Sequence, residues 1–247
     1  FDRIIESGGY ITVNTGAGND APLAANDSET TAENAVLNAS VPAATDADGT
    51  IASYALVAGP GAGNGALTFN TDGTYSFNPG ANFNNLPAGA TRDVTFTYTA
   101  TDNSGAVSNV ATVTITVTGE NDPPVANADS ASTPINTPLA NINVLGNDTD
   151  PDTGAVLSVT GATVDAARGT VTVNPDGTVN FTPAANITGA VTITYTLTDG
   201  TATTTGTLTV NVGGNTPPTG ADNAFTIDED ATRTFGAADF GFADADL

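Results

Sequence analysis

The segment from Gly65 to Pro79 (GALTFNTDGTYSFNP) returns, residue for residue in kind, as Gly169 to Pro183 (GTVTVNPDGTVNFTP). In each copy two short apolar–polar alternations flank an Asp-Gly pair, Asp72-Gly73 and Asp176-Gly177, which predicts a β-hairpin. A second block repeats as well: Phe96-Thr-Tyr98-Thr-Ala-Thr-Asp102 matches Ile193-Thr-Tyr195-Thr-Leu-Thr-Asp199. So do the Pro-bearing junctions Asn19-Asp-Ala-Pro22, Asn121-Asp-Pro-Pro124 and Asn215-Thr-Pro-Pro218, which recur roughly every hundred residues. A period of that size means one module reused in tandem, each copy with its own core.

Alternation sets the class. Val94, Phe96, Tyr98 and Ala100 interleave with Thr residues, as do Val191, Ile193, Tyr195 and Leu197. Period two marks a strand with one buried and one wet face, and β-branched Thr suits the wet one. No window carries a helical stripe. Short strands with turn signals between them predict an all-β chain of tandem β-sandwiches, a string of modules. An Ile-Thr-Val type strand precedes each junction (Tyr10 to Val13, Val113 to Val117, Leu208 to Val212). The expected domains are therefore 1–18, the last strand of an upstream unit; 19–121 and 122–214, two complete sandwiches; and 215–247, the start of a third. Phe1 in place of Met points to a fragment or a processed product. The Pro pairs predict stiff, extended connections.

Charge narrows the chemistry. The 247 residues hold 4 cationic side chains, all Arg, against 27 acidic ones, for a net charge of −23, with no Lys, His, Cys, Met or Trp. Nucleic acid and anionic membrane surfaces should repel such a chain. Disulfides, thiolate or imidazole metal sites, Ser-His machinery, Schiff bases and phosphate-binding P-loops all lack their residues. No apolar run approaches the roughly 18 residues of a membrane span. A two-carboxylate glycosidase needs an aromatic-lined cleft, and aromatics make up 6%. The chain reads as no enzyme.

The acids are clustered rather than scattered. Asp46 and Asp48, then Asp148, Asp150 and Asp152, then Asp244 and Asp246 each follow a junction by nearly the same distance. Alternate residues of an extended segment share a side, so Asp148, Asp150 and Asp152 are expected to converge on one Ca²⁺, whose shell is built of oxygens. The alternative is that these are ordinary polar turn residues. Asp72 and Asp176 are read as turn-formers, Tyr98 and Tyr195 as core or corner residues, and Arg92 and Arg168 as partners of nearby carboxylates.

The stretch from Gly65 to Asp122 resembles the VCBS repeat, and residues 122–212, with Val144-Leu-Gly-Asn-Asp148 near their start, resemble the related bacterial cadherin-like tandem repeat. That resemblance implies tandem Ig-like or cadherin-like β-sandwiches in an elongated array, in a segment of a large bacterial surface or secreted protein, such as a repetitive adhesin, with Ca²⁺ as its cofactor. In cadherins, calcium at the junctions is held by an early Glu, a late-loop Asp and the linker. The counterparts here are Glu29, Glu33 and Asp102; the linker's Asn121, Asp122, Asn127 and Asp129; and Asp199, Asp228, Glu229 and Asp230. Pro134 and Asn136 stand where the second unit's acids should be. The expected function is a calcium-stiffened extracellular stalk at the bacterial cell surface, its partners the neighbouring repeats. The alternative is a filament subunit that exchanges strands with identical chains.

Overall fold

The computed structural model describes the backbone of residues 3–7 and 10–14, and residues 18–213, 224–236 and 239. Two strands, β1 (Arg3–Ser7) and β2 (Tyr10–Asn14), pair antiparallel with each other. The expected third repeat is described only at 224–236 and 239, and Asp244 and Asp246 lie outside the described residues. The chain divides into two compact units. Unit 1 runs to Asp122 and takes in Pro151–Gly154; unit 2 comprises Pro123–Asp150 and the chain from Ala155 onward.

Unit 1 is a sandwich of two sheets. One is ordered β3 (Asp27–Ala32), β9 (Ala111–Thr118), β8 (Thr91–Asp102), β5 (Ile51–Ala58); the other β4 (Leu37–Ser40), β7 (Thr74–Asn78), β6 (Ala66–Phe69). The β3–β9 pair is parallel, and the rest are antiparallel. Alternation in β8 buries Val94, Phe96, Tyr98 and Ala100, while β9 buries Ala111, Val113, Ile115 and Val117. Phe77 and Phe83 close the core from the other side. Burying such a side chain stabilises the unit by roughly 1.5–3 kcal/mol.

Unit 2 repeats the plan. Its larger sheet is β10 (Asp129–Thr133), β16 (Thr203–Val212), β15 (Gly189–Thr198), β12 (Ser158–Val164), and its smaller one β11 (Leu139–Ile142), β14 (Val179–Pro183), β13 (Gly169–Val173). Val191, Ile193, Tyr195, Leu197, Leu208 and Val210 form the core with Phe181. Both Asp-Gly turns behave as geometry requires. Gly73 and Gly177 have φ of 87° and 83°, in the region that favours glycine. Asp72 and Asp176 accept from the N–H and hydroxyl of Thr74 and Thr178, and those bonds hold both carboxyls below the usual range.

The arginines depart from expectation. Arg92 donates to the carbonyls of Gly63 and Asn82 and lies 3.6 Å above the Phe83 ring centroid. Arg168 donates to the carbonyls of Thr188 and Ala190. A planar, multi-donor guanidinium suits loop carbonyls and an aromatic face, and neither demands a carboxylate. Among the described residues the ion pair found is Arg233–Asp239, at 2.9 Å.

Candidate metal centre

One end of unit 1 is built around Glu33, in the turn after β3. Its N–H donates to the Thr118 carbonyl, which draws the side chain into the sandwich end, and only 2% of the residue remains exposed. One carboxylate oxygen, Oε1, accepts the Glu120 N–H at 2.9 Å. The other, Oε2, is buried and has no hydrogen-bond partner. Beside it the Asp122 N–H donates to Asp152 Oδ2 at 3.0 Å, and the Thr153 N–H to the Asn85 carbonyl, so that Pro151–Gly154 is fastened to unit 1. Burial pushes the Glu33 carboxyl up; the Glu120 N–H opposes this, and Asp122, Asp152 and Glu120 add to it by repulsion. A buried carboxylate oxygen facing further acids is costly unless a cation compensates.

The opposite end of unit 1 gathers Asn19, Asp20, Asp46, Asp48 and Asp102. Asp48 accepts the Asp20 N–H, as Asp152 accepts that of Asp122. Asp46 Oδ1 accepts the N–H groups of Asp48 and Gly49, and its Oδ2 is buried without a hydrogen-bond partner. Asp102 is 2% exposed and accepts from the Asn19 amide and from the N–H groups of Ser104 and Ala106. Burial would raise its carboxyl, but the Asn19, Ala106, Ser104 and Gly105 donors outweigh it and hold the carboxyl low.

In unit 2 the acids are used differently. Asp148 accepts the Asn127 N–H at 2.7 Å and the Tyr195 hydroxyl at 3.0 Å. That hydroxyl also lies within 3.3 Å of Asp129 Oδ2 and the carbonyls of Asn127 and Val144. Four acceptors thus surround one proton. Burial foremost, then the two carboxylates, pushes the Tyr195 hydroxyl well above its ordinary range. Burial also raises the Asp129 carboxyl against the Tyr195 bond, with Asp148 adding repulsion. Asp199 holds its own turn through the Thr201 and Ala202 N–H groups.

The expected convergence of Asp148, Asp150 and Asp152 is therefore parted. Asp148 is captured inside unit 2 by a desolvated hydroxyl, while Asp152 is bound into unit 1. Among the described residues no three acidic side chains form a ready-made metal cage. Asp150 is half-buried, and Asn121 donates its amide to the Asp122 carbonyl. Glu29 is half-buried on β3, and Asp228, Glu229 and Asp230 are exposed. Sequence reasoning passed over Glu120 and Asn103. Glu120 adjoins the Asn-Asp-Pro junction and could have been found as a further acid at that point; Asn103, whose Oδ1 accepts the Thr50 N–H, carries no signal of its own.

Two acidic Ig-like sandwiches in tandem, with carboxylates gathered at the ends of the first, define a cadherin-type repeat. The bacterial cadherin-like domain matches at residues 19–119 and again at 121–214; the chain belongs to that family. Mouse protocadherin-24 EC1-3 is similar at 18% identity and a TM-score of 0.49, over 77% of this chain and 70% of that one. The human desmocollin-1 ectodomain is similar at 14% identity and a TM-score of 0.37, and this chain, matched over 78% of its length, spans 42% of it. An endo-fucoidan hydrolase of glycoside hydrolase family 107 matches at 18% identity and a TM-score of 0.29, over 81% of this chain and 29% of that one. Comparison with the curated proteins gave no match. Among the described residues no helix is long and apolar enough to cross a membrane.

Proposed function

We propose that the chain is a spacer segment of an extracellular bacterial repeat protein, stiffened by Ca²⁺ taken up at the ends of unit 1. The supporting observation is Glu33 Oε2, a buried carboxylate oxygen with no hydrogen-bond partner, among acids in a chain without Lys or His. The candidate donors are carboxylate oxygens, with no nitrogen or sulfur, which suits a hard cation. Among the described residues neither end is a ready-made cage; Glu33, Asp122 and Asp152 would close on the ion at one end, and Asp46, Asp48 and Asp102 at the other. An ion at Glu33 and Asp152 would tie the junction segment to the body of the unit and reduce its freedom.

Extracellular modules of this kind bind with Kd near 10⁻⁴ M, so millimolar calcium contributes about 1.4 kcal/mol per site. Calorimetric titration of the chain with CaCl₂, repeated on Glu33→Gln, tests the reading. The expected outcome is saturable binding with one site fewer in the variant. No binding heat, together with identical melting and scattering curves in EDTA and in Ca²⁺, would overturn it.

A further inference from the structure

The smaller sheet of unit 1 carries a shallow, open depression of about 410 Å³, lined by Asn38, Ser40, Asn70, Thr74 and Ser76 together with Ala39 and Tyr75. None of the lining side chains is charged, and all but Ala39 can hydrogen-bond. The nearest acid, Asp72, already accepts from the Thr74 N–H and hydroxyl at 2.9 and 2.6 Å. Asn70 donates to the Thr74 hydroxyl at 2.9 Å. Asn38 and Ser40 are exposed, and Ser76 is half-exposed.

Unit 2 closes the same place. Asn180, the counterpart of Ser76 in the repeat, exchanges amide hydrogen bonds with Asn174 at 2.7 and 3.1 Å. Asn174 also donates to Asn141, whose own N–H donates to Asn180. The register between β11 and β14 shifts between Leu139 and Ile142, and Asn141 takes φ of 55° to reach this network. In unit 1 the matching β4–β7 pairs run without a shift, Asn38 opposite Ser76. Polar groups that unit 2 spends on one another are turned outward in unit 1.

We propose that this depression is a binding subsite for a neutral, hydroxyl-rich glycan. Adjacent sugar hydroxyls need a donor and an acceptor side by side, which an Asn amide and Ser hydroxyls provide. A chain of charge −23 repels anionic polymers, and nothing in the lining would bind a charged group. The open form admits an internal stretch of a polysaccharide rather than only its end. Without an aromatic platform the contact rests on hydrogen bonds, so each module binds weakly and tandem copies gain by avidity. This inference is independent of calcium at the unit ends.

The test is an amide chemical-shift titration of the ¹⁵N-labelled chain in Ca²⁺ with neutral tetrasaccharides of glucose, galactose, mannose and N-acetylglucosamine, and with glycerol as control. The expected result is saturable shifts at Asn38, Asn70 and Ser76 with at least one sugar, and none at Asn141, Asn174 or Asn180. Ser76→Asn, on the outer face, should weaken binding about tenfold, the loss of one or two hydrogen bonds, at unchanged melting temperature. No saturable shift with any sugar, equal shifts with glycerol, equal shifts in both units, or undiminished binding by Ser76→Asn would each overturn the proposal.

Discussion

Matched positions of the two units carry different chemistry. After β3, unit 1 buries Glu33 beside Glu120, Asp122 and Asp152. After β10 the strand register puts Ile135, 44% exposed, in that place and not the expected Pro134 or Asn136, and unit 2 ties its end with a neutral pair. The Asn186 N–H donates to Asn136 Oδ1 at 2.8 Å, and the Asn136 amide to Asn186 Oδ1 at 3.2 Å. The tyrosine pockets differ too. Tyr98 donates only to the Ala25 carbonyl at 2.7 Å, with Ala44 where unit 2 has Asp148. One fold thus tolerates an acidic end and a self-satisfied one. The lesson is that the proposed need for a cation would belong to each end, set by a few side chains, and not to the sandwich.

The largest expected effect sharpens the tyrosine contrast. A Cβ on Gly206 would lie 2.1 Å from Tyr195 Cζ, whereas unit 1 has Ala111 opposite Tyr98. Gly206→Ala should destabilise unit 2 by about 3 kcal/mol or more, and Ala111→Gly should cost unit 1 only about 1 kcal/mol. Denaturant melts followed by unit-resolved amide signals compare them.

Next comes metal removal. EDTA should lower the melting temperature of unit 1 by about 10–20 °C, corresponding to about 2.8 kcal/mol for its two sites, and leave unit 2 unchanged. Equal losses in both units would break the contrast between the ends. Asn136→Ala should cost unit 2 about 1–2 kcal/mol, from the lost hydrogen bonds and an alanine held at φ of 59°, equally in Ca²⁺ and EDTA.

The smallest effect is alkaline. Burial first, then Glu29 and Asp27, pushes the Tyr75 hydroxyl up from 10.0 to about 12. A group whose folded value is raised contributes stability that is present below the unfolded value and lost as pH rises through the folded one. Unit 1 should therefore weaken between pH 10 and about pH 12, and Tyr75→Phe should flatten that part of the pH profile.

Much of the fold could be read in advance, because β8 and β15 write their burial as strict alternation and the Asp-Gly turns fix the hairpins. Glu33 enters the expected set through the resemblance to cadherins, while its burial after β3 leaves no mark in the sequence. The partners of Arg92 and Arg168 could not be read either, since carbonyls leave none. Nor could the turning of Asp148 onto Tyr195, which depends on where a strand 47 residues later places one hydroxyl. The Asn136–Asn186 pair was hidden for the same reason: two neutral amides far apart in the chain look like loop composition.

Hydrogen exchange at two backbone amides tests the account most directly: Glu120 N–H, capped by Glu33, and Asn186 N–H, capped by Asn136. In Ca²⁺ relative to EDTA, Glu120 should exchange about tenfold more slowly, as 1.4 kcal/mol requires; Asn186 should not change, and Glu33→Gln should abolish the difference. Exchange at Glu120 that ignores calcium, or that slows equally in Glu33→Gln, would contradict the claim that an ion completes that end of the molecule.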